Sequence, residues 1–106
     1  VTDSSRTLPA VYVLACSDGS LYTGATVDLG RRLGAHRRGT AAKYTRGRLP
    51  VALVGWWHPP TFELAKSHEA RFKRLRRAAK LAALHSGLVY GCVVHLKHQA
   101  DRETEA

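Results

Sequence analysis

Five side chains are of types that could do chemistry together: Tyr12, Tyr22, Arg32, His36 and Glu69. Hydrolysis of a phosphodiester needs a base for the attacking water, a cation for the pentavalent anion, and help for the departing oxygen. A phenol can be the base when neighbouring cations pull its pKa down from about 10. A guanidinium supplies that pull, and its planar donors also hold a phosphate oxygen. An imidazole passes protons near neutrality. One carboxylate suits a Mg²⁺ or Mn²⁺ ion that keeps most of its waters and takes the phosphate as a further ligand.

The elements that must position these groups follow from local pattern. Residues 11–16 and 21–25 are short β-prone runs around Ser17-Asp18-Gly19-Ser20, a hairpin signal. A two-residue Asp18-Gly19 turn puts Tyr12 and Tyr22 on opposite faces. A three-residue loop over 17–19, with Gly19 left-handed, pairs Leu14 with Tyr22 and puts both phenols on one face. Val11, Val13, Ala15 and Leu21 then share the other face, and this better segregation of apolar residues favours the second register.

Asp28 and Gly39 are the start and stop signals of a helix over 29–38, on which Arg32 and His36 share a side. Residues 39–50 read as a basic loop and 51–57 as a third strand, on which Trp56 and Trp57 alternate faces. Thr61 caps one long expected helix running to about His85, with Leu64, Phe72, Leu75, Ala79 and Ala82 as its buried stripe. Residues 88–96 read as a further strand or a packed extended segment. Tails are expected over 1–9 and 98–106, around a single domain at 10–97.

Seventeen basic against eight acidic residues give a net charge of +9 in 106 residues. Such an excess points to a polyanionic partner, with nucleic acid ahead of an anionic membrane. Two tracks suit phosphates: Lys43, Tyr44, Arg46 and Arg48 in the loop, and Lys73, Arg74 and Arg77 on the long helix. Arg31 joins them beside Arg32, and the Tyr44 ring can stack on an unpaired base. Glu69 is almost the only acid on that basic helix, which favours a metal-binding or structural role. No apolar run reaches the roughly 18–20 residues that span a bilayer, and no signal pattern opens the sequence. A soluble, cytoplasmic protein without a membrane partner is therefore expected. Cys16 and Cys92 lack metal-type spacing and read as buried free thiols. His58, His68, His85, His95 and His98 show no zinc spacing.

Ala10-Val11-Tyr12 and Tyr22-Thr23-Gly24 resemble the two signatures of the GIY-YIG nuclease family, in particular its small stand-alone bacterial UPF0213 (YhbQ-like) members. Asp28 through Arg32 to His36 is similar to the family's arginine helix, and His68-Glu69 to the helix bearing its metal-binding glutamate. The stretch from Gly39 to Arg48 also resembles Slx1-type structure-specific nucleases. The likeness covers about residues 10–85. Ala10 replaces the first glycine, Ala25 stands where some DNA-repair relatives carry lysine, and residues 70–98 hold no asparagine to match the family's downstream one.

The resemblance implies an α+β fold, a three-stranded antiparallel sheet flanked by helices, and single-metal hydrolysis of DNA. By position, Tyr22 or Tyr12 is the base or positions the water, Arg32 stabilises the transition state, His36 assists proton transfer or phosphate binding, and Glu69 holds Mg²⁺ or Mn²⁺. The expected function is a metal-dependent DNA endonuclease or nickase, on single-stranded or branched DNA in repair or recombination. The alternative is a non-catalytic nucleic-acid-binding module, and a protein partner is compatible with either.

Overall fold

A computed structural model describes residues 8–97. Most of the expected tails, and His98, lie outside that range. Strands β1 (Ala10–Ala15) and β2 (Leu21–Thr26) form the hairpin, with Leu14 opposite Tyr22 and Tyr12 opposite Gly24. The loop is the three-residue one. The Cys16 amide donates to the Ser20 carbonyl at 2.9 Å, and Gly19 lies at φ +85°, where a side chain is strained. Both tyrosines therefore share a face, as the favoured register requires.

Helix α1 (Leu29–Arg38) has the expected bounds. The Asp28 carboxylate accepts the Arg31 amide at 3.2 Å, and Gly39 closes the helix at φ +78°. The basic loop contains one helical turn, α2 (Lys43–Arg46). Four residues are too few to show a hydrophobic period, so nothing local announces it.

Strand β3 (Ala52–Trp57) runs antiparallel to β1, with a register shift between Val13 and Leu14. The single long helix expected after Thr61 is instead two, α3 (Phe62–Lys73) and α4 (Arg77–Ser86). Arg76 is extended (φ −71°, ψ 159°) and turns the chain between them. A straight helix would carry Leu84 about 18 Å beyond Phe72 along its axis. The turn brings Leu84 back onto β3, where Gly55 leaves room for it. The buried residues of these helices are accordingly Ala65, His68, Phe72 and Leu84, while Leu64 is exposed. Ala79 and Ala82 are exposed as well, so only Phe72 and the half-buried Leu75 of the expected stripe face inward.

Residues 88–96 supply both a ribbon and a strand. The ribbon is β4 (Leu88–Val89) with β5 (Cys92–Val93), and β6 (His95–Leu96) pairs with β3. The main sheet thus has four strands in the order β2-β1-β3-β6 rather than the expected three. Two-residue strands carry no alternation, so their pairing is a tertiary decision.

The core lies on the sheet face opposite the tyrosines. Val11, Val13, Trp57, Ala65, Phe72, Leu84 and Val89 form it, with the Trp57 and Phe72 rings edge to face at 5.1 Å. Trp56 takes the other face and stacks on His95 at 5.3 Å. Cys16 and Cys92 are free thiols, the first buried and the second half-buried.

Candidate active site

Period-two alternation in the hairpin delivers Tyr12 and Tyr22 to the sheet face that α1 covers. Tyr12 is 1% exposed, and its hydroxyl lies 2.7 Å from His36 Nε2. His36 is fully buried one turn beyond Arg32, and its Nδ1 lies 2.9 Å from Thr45 Oγ1 on α2. The His36 ring stands edge-on to both phenols, with centroids at 5.5 Å from Tyr12 and 5.2 Å from Tyr22. Gly24 makes the close packing possible: a Cβ there would lie 2.5 Å from Tyr12 Cζ.

Electrostatics separate the groups. Burial pushes the Tyr12 hydroxyl well above the ordinary phenol range, and Tyr22 and Glu69 add to that; Arg32 pulls the other way, as its proximity should, but does not win. Tyr12 is therefore protonated at neutral pH. Burial, and then the Arg32 charge, hold His36 below its ordinary 6.5, so the imidazole is neutral.

Tyr22 is half-buried at the edge of this group. Its ring stacks at 5.9 Å on Tyr44 of α2, and Arg48 lies 3.8 Å above the Tyr44 ring. On the other side, Lys73 Nζ stands 5.9 Å from the Tyr22 centroid and 2.8 Å from Glu69 Oε2. A cleft of about 400 Å³ includes Tyr22, Tyr44, Lys73 and Lys80 in its lining. Arg31 and Arg32 line a separate cleft at the start of α1.

The charge of Glu69 is felt at Tyr12, so this carboxylate belongs to the site electrostatically. Among the described residues, no three His, Cys, Asp or Glu side chains come together. A lone carboxylate fits a strongly hydrated Mg²⁺ or Mn²⁺, whereas Zn²⁺ takes three or four protein ligands. The competing Lys73 pair is an i,i+4 contact with Lys73 half-exposed, a type that contributes only about 0.3–0.5 kcal/mol. A divalent ion can take Glu69 from it at little cost.

The structure thus brings Tyr12, Tyr22, Arg32, His36 and Glu69 into one neighbourhood. The expected phosphate contacts divide. Arg31, Lys43, Arg46, Lys73 and Arg74 are exposed. Arg48 is a brace: its Nε donates to Asp18 Oδ2 and its Nη1 to the Tyr44 carbonyl, both at 2.9 Å. Arg77 donates to the Gly19 carbonyl and ties α4 to the hairpin loop. The sequence pattern assigns no role to Thr45, which lies inside a stretch read as loop, where side-chain direction has no period. Lys80 ends the basic cluster over 71–80, which reads as a solvated face or a DNA backbone track.

His68 is the second buried imidazole. It accepts the Trp57 indole N–H at Nδ1 (3.1 Å), and burial, then Arg71, hold its pKa below 6.5. Both histidines bind protons more readily in the unfolded chain. Their stability contribution is therefore full above pH 6.5 and is lost as pH falls through their lower folded values. Thermal midpoints are expected to be level above pH 7 and to fall steadily below about 6.5, with a shallower slope in His68→Gln. An unchanged midpoint down to about pH 5 contradicts that assignment.

Comparison with known proteins agrees with the geometry. The GIY-YIG catalytic domain, the domain of a nuclease family, matches residues 8–82. A UPF0213 protein of Streptococcus sanguinis is 54% identical over 72 residues, covering 68% of this chain and 83% of its own. A UPF0213 protein of Halalkalibacterium halodurans is 50% identical over 70 residues, covering 66% and 74%. The solution NMR structure of a UPF0213 protein from Bacillus halodurans is 43% identical, covers 78% of this chain and 85% of its own, and has a TM-score of 0.49. The sequence matches point to the UPF0213 group and bear on no Slx1-type feature. The chain belongs to the GIY-YIG family, among its UPF0213 members.

Proposed function

We propose that this protein is a divalent-metal-dependent endonuclease or nickase that hydrolyses DNA phosphodiester bonds. The observation that supports it most is the 2.7 Å contact between protonated Tyr12 and neutral His36, with Tyr22 alongside and the Arg32 charge acting on both members of the pair. Tyr22, the more exposed phenol, positions the attacking water. Tyr12 accepts the water's proton while giving its own to His36, because a free phenolate is not available at that buried oxygen. Arg32 holds the phosphate oxygens as charge develops on them. Glu69 is the residue that holds Mg²⁺ or Mn²⁺. When bound, that ion supplies Lewis-acid stabilisation of the phosphoryl oxygens.

Binding follows from the basic surfaces. Lys43, Arg46, Lys73, Arg74 and Arg31 contact backbone phosphates, with Arg48 and Arg77 lending charge from braced positions. Tyr44, 39% exposed and held by Arg48, offers a ring face to an unpaired base, which favours single-stranded or branched DNA. No helix among the described residues is long and apolar enough to cross a membrane. A cytoplasmic setting in DNA repair or recombination goes with that substrate.

The Glu69–Lys73 ion pair is what a non-catalytic nucleic-acid-binding module would also show. Glu69→Ala and Tyr22→Phe separate the two functions. In a nuclease, both substitutions lower cleavage by about 10²-fold or more while salt-sensitive DNA binding persists. A binding module shows no metal-dependent cleavage and is indifferent to Glu69→Ala.

A further inference from the structure

We infer that Thr45 is a positioning residue that locks His36 in the Nδ1–H tautomer, leaving Nε2 as the proton acceptor aimed at Tyr12. The inference deepens the nuclease proposal and rests on it for its catalytic consequence, though not for the tautomer itself. A threonine hydroxyl has one proton and two acceptor sites. Thr45 Oγ1 donates that proton to the Ala42 carbonyl, 3.3 Å away at the start of α2. Only its acceptor sites remain for His36 Nδ1 at 2.9 Å, so Nδ1 must carry the hydrogen. A neutral imidazole has one N–H, and Nε2 then presents its lone pair to Tyr12 Oη at 2.7 Å. The phenol donates.

Burial makes this order strict. His36 and Thr45 are fully buried, which keeps water from the ring nitrogens and from satisfying the wrong tautomer. In the opposite tautomer, Nε2–H would point at the Tyr12 oxygen, and the phenol could no longer pass its proton to the ring. Thr45 thus acts on the reaction through His36, two bonds away from the phenol. Its neighbours on α2, Lys43, Tyr44 and Arg46, point outward, so a single helical turn carries the inward lock and the outward basic surface.

The test begins without substrate or metal. ¹⁵N spectra of the imidazole in the intact protein near neutral pH are expected to show His36 protonated at Nδ1 and bare at Nε2. In Thr45→Val, which keeps the shape and loses the oxygen, the two nitrogens are expected to average or exchange roles, and Thr45→Ser restores the wild-type pattern. With a DNA substrate and Mg²⁺ or Mn²⁺, Thr45→Val is expected to lower kcat by roughly 10–100-fold, as loss of the partners that orient metal-bound imidazoles does, with little change in KM. Thr45→Ser recovers it. Wild-type spectra showing Nε2–H, or a His36 tautomer unmoved in folded Thr45→Val, overturn the inference. A correct tautomer in a protein that cleaves nothing leaves the lock standing and overturns the nuclease proposal instead.

Discussion

Gly24→Ala is expected to abolish DNA cleavage and to lower stability by about 1–3 kcal/mol, the cost of overpacking a buried site. Its Cβ would lie 2.5 Å from Tyr12 Cζ, well inside van der Waals contact, so the buried ring must shift. The Tyr12 hydroxyl is held by His36 at 2.7 Å, and His36 in turn by Thr45. Any displacement of the phenol therefore breaks the hydrogen bond on which proton transfer depends. Gly47→Ala is the control. Its Cβ meets nothing within 4 Å and its φ is −89°, so alanine fits, and cleavage should be unchanged. Cleavage assays and urea melts on both variants check the contrast. A fully active Gly24→Ala would show that Tyr12 can move freely, and its catalytic assignment would fall.

His36→Ala has the second large effect. Removing a general base is expected to slow cleavage by about 10²–10⁴-fold. It also strands the Tyr12 hydroxyl in a buried site, at a cost of about 1–3 kcal/mol. Tyr12→Phe removes the other end of the same hydrogen bond. If the two act as one proton-transfer unit, the double variant cleaves about as slowly as the worse single one. Additive losses in kcat, measured on one DNA substrate at saturating metal, would separate the residues and contradict the relay.

Local signals make legible the half of the molecule that carries the candidate site. The hairpin register followed from where Gly19 must adopt positive φ and from which residues had to be buried. The bounds of α1 followed from Asp28 and Gly39. These choices involve residues close in sequence, so composition and spacing decide them. The rest depends on contacts between distant segments. No glycine or proline marks the turn at Arg76; it exists because Leu84 must return to β3. The addition of β6 to the sheet edge rests on pairing between His95 and Trp56, which no alternation in two residues could announce.

The site shows the same division. Tyr12, Tyr22, Arg32, His36 and Glu69 were identifiable by type and spacing. That burial outweighs the pull of Arg32 on the Tyr12 pKa was not, because burial comes from distant segments such as α1, whose His36 meets the ring. Thr45 was hidden for a related reason. Its role comes from α2, whose single turn turns one hydroxyl inward between exposed neighbours.

Five side chains from β1, β2, α1 and α3 make a phosphodiesterase site only if they cut DNA together. The most direct measurement incubates the purified protein with single-stranded, nicked, flapped and branched DNA, with Mg²⁺ or Mn²⁺ and with chelator. Metal-dependent cleavage of at least one substrate, lost in Glu69→Ala while binding persists, is the expected result. If every substrate stays intact with either metal, Tyr12 and His36 form a buried structural hydrogen bond and nothing more.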